Sequence, residues 1–221
     1  MILISVATAS ADTLESVEKV LTEKFQKYNS LSADMKMTMQ VGPGMSADST
    51  GTMEFLRHDG KEKFRSEMTM KMNHGGQTME SQMLNIFDGE NAYTVNEMMG
   101  QKHVVRTNPS QVAGRAGGKA FFEDLKRDHT LKLLPDAKVE GATTYVIEAI
   151  AKKPTPQGPG QMKYYFDKAK GLMVKMEGLN TAGDPIMTVT MSNIKVDPKL
   201  DPVRFVFKPE PGTNVIDMTG R

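Results

Sequence analysis

The sequence predicts a mainly β protein: a curved antiparallel sheet forming an incomplete, half barrel, with two or three helices filling its apolar concave face. Three observations carry this expectation. Short runs rich in β-branched, aromatic and Met residues alternate apolar with polar side chains, the period of a strand with one buried face. Clusters such as His58-Asp59-Gly60, Asp88-Gly89 and Asp197-Pro198 separate the runs, where Gly supplies positive φ and Pro fixes φ. An amphipathic segment near the start and a shorter one near residue 120 offer the apolar stripes that such a sheet can bury.

Taken in order, Met1 to Ala11 is a short apolar run ending in Ala9-Ser10-Ala11, a small-x-small cleavage pattern without a basic start. It is expected to be the remnant of a signal peptide, leaving 12–221 as a single domain; the competing reading is an ordinary first strand or helical turn of a cytoplasmic protein. Asp12-Thr13-Leu14-Glu15 resembles a capping box, and Leu14, Val17, Val20, Leu21, Phe25 and Tyr28 follow at helical spacing to about Asn29. That helix packs on the sheet or plugs one opening of it.

From Asp34 to Val41 the chain alternates strictly, with Met35, Met37 and Met39 on one face. Gly42-Pro43-Gly44 opens a polar loop to Thr50, and the next strand carries Met53, Phe55 and Arg57 on one face. Phe64, Met68, Met70 and Met72 share a face of the strand after it. Strands follow at Met79–Phe87, Ala92–Val95 and Lys102–Arg106.

Gln111 to Asp128 contains Gly114, Gly117 and Gly118 and then a short helix with Phe121, Phe122 and Leu125 as its apolar side. Glycines before a helix suit a movable lid, and the same residues suit a packed connecting helix. Leu131–Leu134 and Thr143–Ala151 return to strand. After the loop at Pro154–Gly160, four runs at Met162–Phe166, Leu172–Leu179, Ile186–Val196 and Val203–Phe207 form a meander, the last placing Val203, Phe205 and Phe207 on one face.

Composition narrows the function. A net charge of +1 leaves no nucleic-acid footprint. The sequence has no Cys, so neither a disulfide nor a lipid anchor on an N-terminal Cys is expected. No run reaches the roughly 20 apolar residues of a membrane span. There is no nucleophile elbow, phosphate loop or H-E-x-x-H, and His58, His74, His103 and His129 share no metal spacing, so no enzyme and no cofactor are expected.

With 19 Met, no Trp and 6% aromatic residues, Met takes the place aromatics usually hold. The Met faces suit a packed core, a conformable wall for acyl chains, or thioether ligands for Cu(I), as in Met68-x-Met70-x-Met72-x-His74.

The C-terminal Asp201-Pro202-Val203-Arg204-Phe205-Val206-Phe207-Lys208-Pro209-Glu210-Pro211-Gly212 resembles the ending of the LolA-type periplasmic lipoprotein carriers. Tyr28–Asp34 resembles that family's junction of helix and first strand, and Ile86–Tyr93 its central D-G hairpin. The resemblance covers most of the chain after Asp12. It implies an exported, soluble periplasmic carrier that binds acylated lipoproteins or lipid. It also implies an inner-membrane release complex and an outer-membrane acceptor as partners. That acceptor is itself lipid-anchored in the family, so a chain without Cys fits the carrier.

The lipid-facing wall is expected to include Met35, Met37, Met39, Met53, Phe55, Phe64, Met68, Met70, Met72, Phe205 and Phe207. The resemblance further gives Arg57 the place of the family's lid-bonding Arg, with Phe121, Phe122 and Leu125 on the lid, although His58 stands where the family has Pro. Alternatives remain: a sensor or regulatory module on the same fold that binds lipid or a protein partner, and a Met-rich periplasmic copper protein.

Overall fold

A computed structural model describes residues 12–42, 44–108, 117–153, 159–180, 182–210 and 212–219. The expected signal-peptide remnant 1–11, the glycine-containing stretch 111–116 and the loop tip 154–158 lie outside the described residues.

Among the described residues, twelve strands form one open, curved sheet that does not close into a barrel. Helix α1 (Leu14–Gln26) comes first, followed by the meander β1 (Ser30–Gly42), β2 (Met45–His58), β3 (Lys61–His74), β4 (Gln77–Phe87), β5 (Ala92–Met98) and β6 (Gln101–Thr107). Helix α2 (Gly118–Asp128) leads into a second meander, β7 (His129–Val139), β8 (Ala142–Ala151), β9 (Gln161–Asp167), β10 (Met173–Leu179) and β11 (Pro185–Val196). Antiparallel pairing of β1 with β11 welds the two meanders. The last strand, β12 (Val215–Asp217), pairs in parallel with β6, so the sheet is mixed rather than wholly antiparallel.

Local chemistry explains the ends of the elements. Thr13 caps α1: its hydroxyl accepts from Ser16 N at 3.2 Å, and Ser16 Oγ accepts from Thr13 N at 2.9 Å. The capping partner is therefore Ser16 and the cap Thr13, one residue later than Asp12. At the other end of the first meander's opening hairpin, β2 begins at Met45, so the polar stretch expected to be a loop up to Thr50 is strand. Its alternation is carried by small residues, Ala47 and Ser49, which are buried, and Gly51.

The core lies between the helices and one face of the sheet. Val17 and Leu21 of α1 and Phe122 and Leu125 of α2 pack with Met53, Phe64, Ile147, Tyr164, Phe166 and Met191. At one end Phe25 of α1 fills the trough against Leu31, Phe55 and Leu172.

The C-terminal segment covers the opposite, convex face. The expected strand at Val203–Phe207 is instead a 3-10 helix, Pro202–Phe205, capped by Asp201, whose side chain accepts from Val203 N at 3.0 Å. Pro at its first position removes a ladder donor and fixes φ, which favours a helical turn over a strand. Arg65 Nη1 donates to Arg204 O at 3.0 Å, and the Phe207 ring lies 5.1 Å from that of Tyr93.

Candidate functional site

Strand pairing sets the concave face row by row. Met35 lies opposite Met191 on one side and Gly51 on the other, Gly51 opposite Met68, and Met68 opposite Met83. The next row runs Ala33, Met53, Ser66, Asn85, Thr94, and the row beyond it Leu31, Phe55, Phe64, Phe87. Residues directly opposite each other share a face of the sheet, so the period-two register read from the sequence places Met35, Met37, Met39, Met53, Phe55, Phe64, Met68, Met70 and Met72 together.

Between this face and α2 lies a cavity of about 470 Å³. Nine of the 19 methionines line it: Met35, Met37, Met53, Met68, Met83, Met173, Met176, Met187 and Met191. Phe64, Phe121, Leu125, Tyr164 and Val189 complete its apolar surface. The wall is conformable, because a thioether chain has three rotatable bonds and no branch.

Not every expected wall residue reaches the cavity. Met39, Met70 and Met72 share the face but lie towards the other end of the strands, outside the lining. Phe55 is buried against Phe25, with ring centroids 5.1 Å apart, and closes the trough end. Phe205 and Phe207 are on the convex face: Phe205 is fully buried, and the Phe207 ring lies tilted against that of Tyr93. Strand alternation was the wrong frame for them because the segment is not a strand.

The roof is α2. Phe121 points edge-on to Phe122, Tyr164 and Phe166, at 5.1, 5.5 and 6.0 Å between centroids. Burial pushes the Tyr164 hydroxyl up to about 12, so the phenol stays neutral beside the cavity. The roof is tied down at both ends. Gly117 and Gly118 press on the Phe25 ring so closely that a Cβ at either would sit 2.8 or 3.0 Å from it. At the far end Lys152 Nζ donates to Lys126 O at 2.7 Å and Arg127 O at 3.2 Å, and Lys126 pairs with the buried Glu18 of α1.

Arg57 bonds α1 and not the described part of the lid segment. Its Nη1 donates to Gln26 O at 3.1 Å and Tyr28 O at 2.7 Å, and its Nη2 to Glu62 at 2.8 Å. The guanidinium carbon stands 5.9 Å from the Phe25 ring centroid and 5.4 Å from that of Phe55. A cation here satisfies carbonyls at the C-terminal end of α1, where the helix dipole favours it.

Several lining residues escaped the sequence reading: Ser66, Met83, Asn85, Tyr164, Met173, Met176, Met187 and Met191. Alternation along Pro185–Val196 and Gln77–Phe87 held the signal for Met187, Met191, Met83 and Asn85. What the sequence lacks is the β1–β11 pairing that brings both meanders to one cavity. Among the described residues no group of three or more His, Asp and Glu could hold a metal ion, and no helix is long and apolar enough to cross a membrane.

No family model and no curated protein matches the chain in sequence. Solved structures match its fold. An uncharacterized conserved protein from Thermus thermophilus is 10% identical, with 92% of this chain and 98% of that one covered and a TM-score of 0.56. A chain of the Pseudomonas aeruginosa MucA/MucB complex is 13% identical over 87% of this chain and 60% of its own, with a TM-score of 0.51. A LolA superfamily protein from Nitrosomonas europaea aligns more loosely, 12% identical over 89% and 99%, with a TM-score of 0.35. The open, curved sheet with both described helices on one face is the incomplete barrel that the strand pattern of the sequence predicts.

Proposed function

We propose that the protein is a non-enzymatic carrier that holds acyl chains of lipoproteins, or lipid, in the Met-lined cavity beneath α2. The observation that carries this reading is the cavity itself: about 470 Å³, walled by nine flexible methionines and roofed by a helix that contributes Phe121 and Leu125. Ligand sites in proteins commonly span about 300–1,000 Å³ and are mostly apolar with a few placed polar groups.

Each buried methylene is worth ~0.8 kcal/mol, so a long acyl chain left in water costs on the order of 10 kcal/mol. A lipidated molecule crossing an aqueous compartment must be shielded by such a cavity, and an open sheet closed by a helix can release it without unfolding. The LolA-type resemblance supports placing the carrier in the periplasm, between an inner-membrane release complex and an outer-membrane acceptor.

A second reading, a regulatory module that binds a protein partner, draws on the fold shared with the MucA/MucB complex chain. Mass spectrometry of small molecules extracted from protein purified from its native host separates the two. Stoichiometric acylated species are expected, and transfer of a fluorescent acylated peptide from the protein to vesicles should follow. A protein with no extractable lipid and no acyl-peptide binding would overturn the carrier reading.

A further inference from the structure

One row of the concave face is polar. Ser66, Asn85 and Thr94 stand opposite one another on β3, β4 and β5, and the first two line the cavity. On the same strands their nearest neighbours on this face are Phe64 and Met68, and Met83 and Phe87. Ser66 is 5% exposed.

The hydrogen bonds form a directed chain. The Thr94 hydroxyl donates to Asn85 Oδ1 at 2.8 Å, and Asn85 Nδ2 donates to Ser66 Oγ at 3.3 Å. Thr94 thereby fixes the Asn85 amide with its nitrogen towards Ser66. Asn85 in turn supplies the Ser66 oxygen with a donor, so the Ser66 hydroxyl is left to donate elsewhere. Among the described residues neither this hydroxyl proton nor the second Asn85 N–H has an acceptor. For the buried Ser66 hydroxyl a missing acceptor is costly, whereas Asn85 is half-buried, and such groups mark places where a ligand or water completes the set.

Resting on the acyl-binding reading above, we infer that Ser66 and Asn85 form a donor subsite for the carbonyl oxygen of an acyl ester or amide, with Thr94 as the positioning residue behind them. Two donors set in a thioether wall match a ligand that is apolar along its length and carries an acceptor at one point. Pure hydrocarbon would leave both donors unpaired, and a free carboxylate would meet the Asp124 and Asp128 carboxylates that line the cavity beside His129, with no Lys or Arg in the lining. The subsite therefore selects acylated molecules over alkyl ones and fixes how deep the chain sits.

The test uses the full chain and two neutral probes of equal length, methyl palmitate and hexadecyl methyl ether, each competing with an environment-sensitive fluorescent fatty-acyl probe. The ester is expected to bind about five- to tenfold more tightly than the ether in the wild type. Ser66→Ala should remove that preference by weakening the ester and leaving the ether unchanged. Thr94→Val should reduce it partly, because Asn85 loses its orienting partner. Equal affinities for ester and ether in the wild type, or equal loss of both in Ser66→Ala, would overturn the subsite while leaving the acyl cavity standing. Failure of both probes and of the fluorescent acyl chain to bind the wild type would overturn the cavity's function and the subsite with it.

Discussion

The Arg57 guanidinium donates to the Tyr28 carbonyl oxygen at 2.7 Å, joining the end of β2 to the chain just past the end of α1. The same group reaches Gln26 O and stands over the Phe25 ring, and that ring is what Gly117 and Gly118 pack against at the start of α2. Arg57 thus secures the helix that plugs the trough, and among the described residues it meets the roof through Phe25.

This geometry sets the outcome for Arg57→Leu. Two charge-assisted bonds to helix-end carbonyls are lost from a partly exposed site, so stability should fall by about 1–2 kcal/mol. Urea denaturation should show a lower midpoint at an unchanged slope. Arg57→Lys should recover only part of the loss, because an ammonium cannot reproduce the guanidinium fork. Transfer of an acylated peptide to vesicles should proceed at the wild-type rate. Wild-type stability with strongly slowed release would instead restore Arg57 as a lock on the lid.

Conservative exchange of the wall tests why it is built of Met. Leu keeps the volume and the apolar character and removes the sulfur, and such swaps usually cost less than about 1.5 kcal/mol each. The triple variant Met35→Leu, Met37→Leu, Met68→Leu should fold and still bind the acyl probe. Titration with Cu(I) checks the alternative: sub-micromolar binding by the wild type, lost in this variant while acyl binding is kept, would establish a thioether metal site in the same cavity.

Much of this site was legible because alternation is a local property. Met35, Met37, Met53, Phe64 and Met68 could be assigned to one face from spacing alone, and Phe121 and Leu125 to the apolar side of a short helix. Long-range partners were not legible. Nothing local distinguishes Arg57 aimed at α2 from Arg57 aimed at Gln26 and Tyr28, since either supplies backbone carbonyls. Gly51 shows the same limit from another side. In the sequence it reads as the first residue of a strand that follows a loop, yet it sits inside β2 where a Cβ would fall 1.8 Å from Glu67 O, a constraint set by the neighbouring strand. The C-terminal Phe205 and Phe207 failed for a different reason: the Asp201-Pro202 cap started a helical turn where alternation implied a strand.

Tyr164 gives a pH signature. Its hydroxyl titrates near 12 in the folded protein because burial disfavours the phenolate, against about 10 when the chain is unfolded. A raised folded value means that the native state holds its proton where the unfolded state has released it. The associated stability is complete below pH 10 and falls as the pH rises towards 12. The loss from this residue should be about 2–3 kcal/mol, and Tyr164→Phe should flatten that part of the alkaline limb in denaturation curves taken from pH 9 to 12. A limb equally steep in Tyr164→Phe would show that other groups account for it.

The pairing of Lys126 with Glu18 is the direct electrostatic tie between roof and plug. Glu18 lies on the buried side of α1 with its side chain 11% exposed, whereas Lys126 is 51% exposed. The second carboxylate oxygen, Oε1, has no hydrogen-bond partner among the described residues. Removing the lysine therefore leaves a carboxylate in poor surroundings, and that orphaned charge should cost more than the pair itself contributes. Lys126→Ala should lose about 1–3 kcal/mol and speed amide hydrogen exchange in α2 more than in β8 and β9. Adding Glu18→Leu to Lys126→Ala should restore most of the stability, since an apolar side chain suits the contact between Val17 and Leu21 and the rest of the core. It should not restore the tie: α2 should still exchange faster, and an acylated peptide should leave the double variant for vesicles sooner than it leaves the wild type. If the double variant is as destabilised as Lys126→Ala, the loss belongs to the missing attraction rather than to a stranded charge; if release is unchanged in both, the roof does not gate the cavity through this pair.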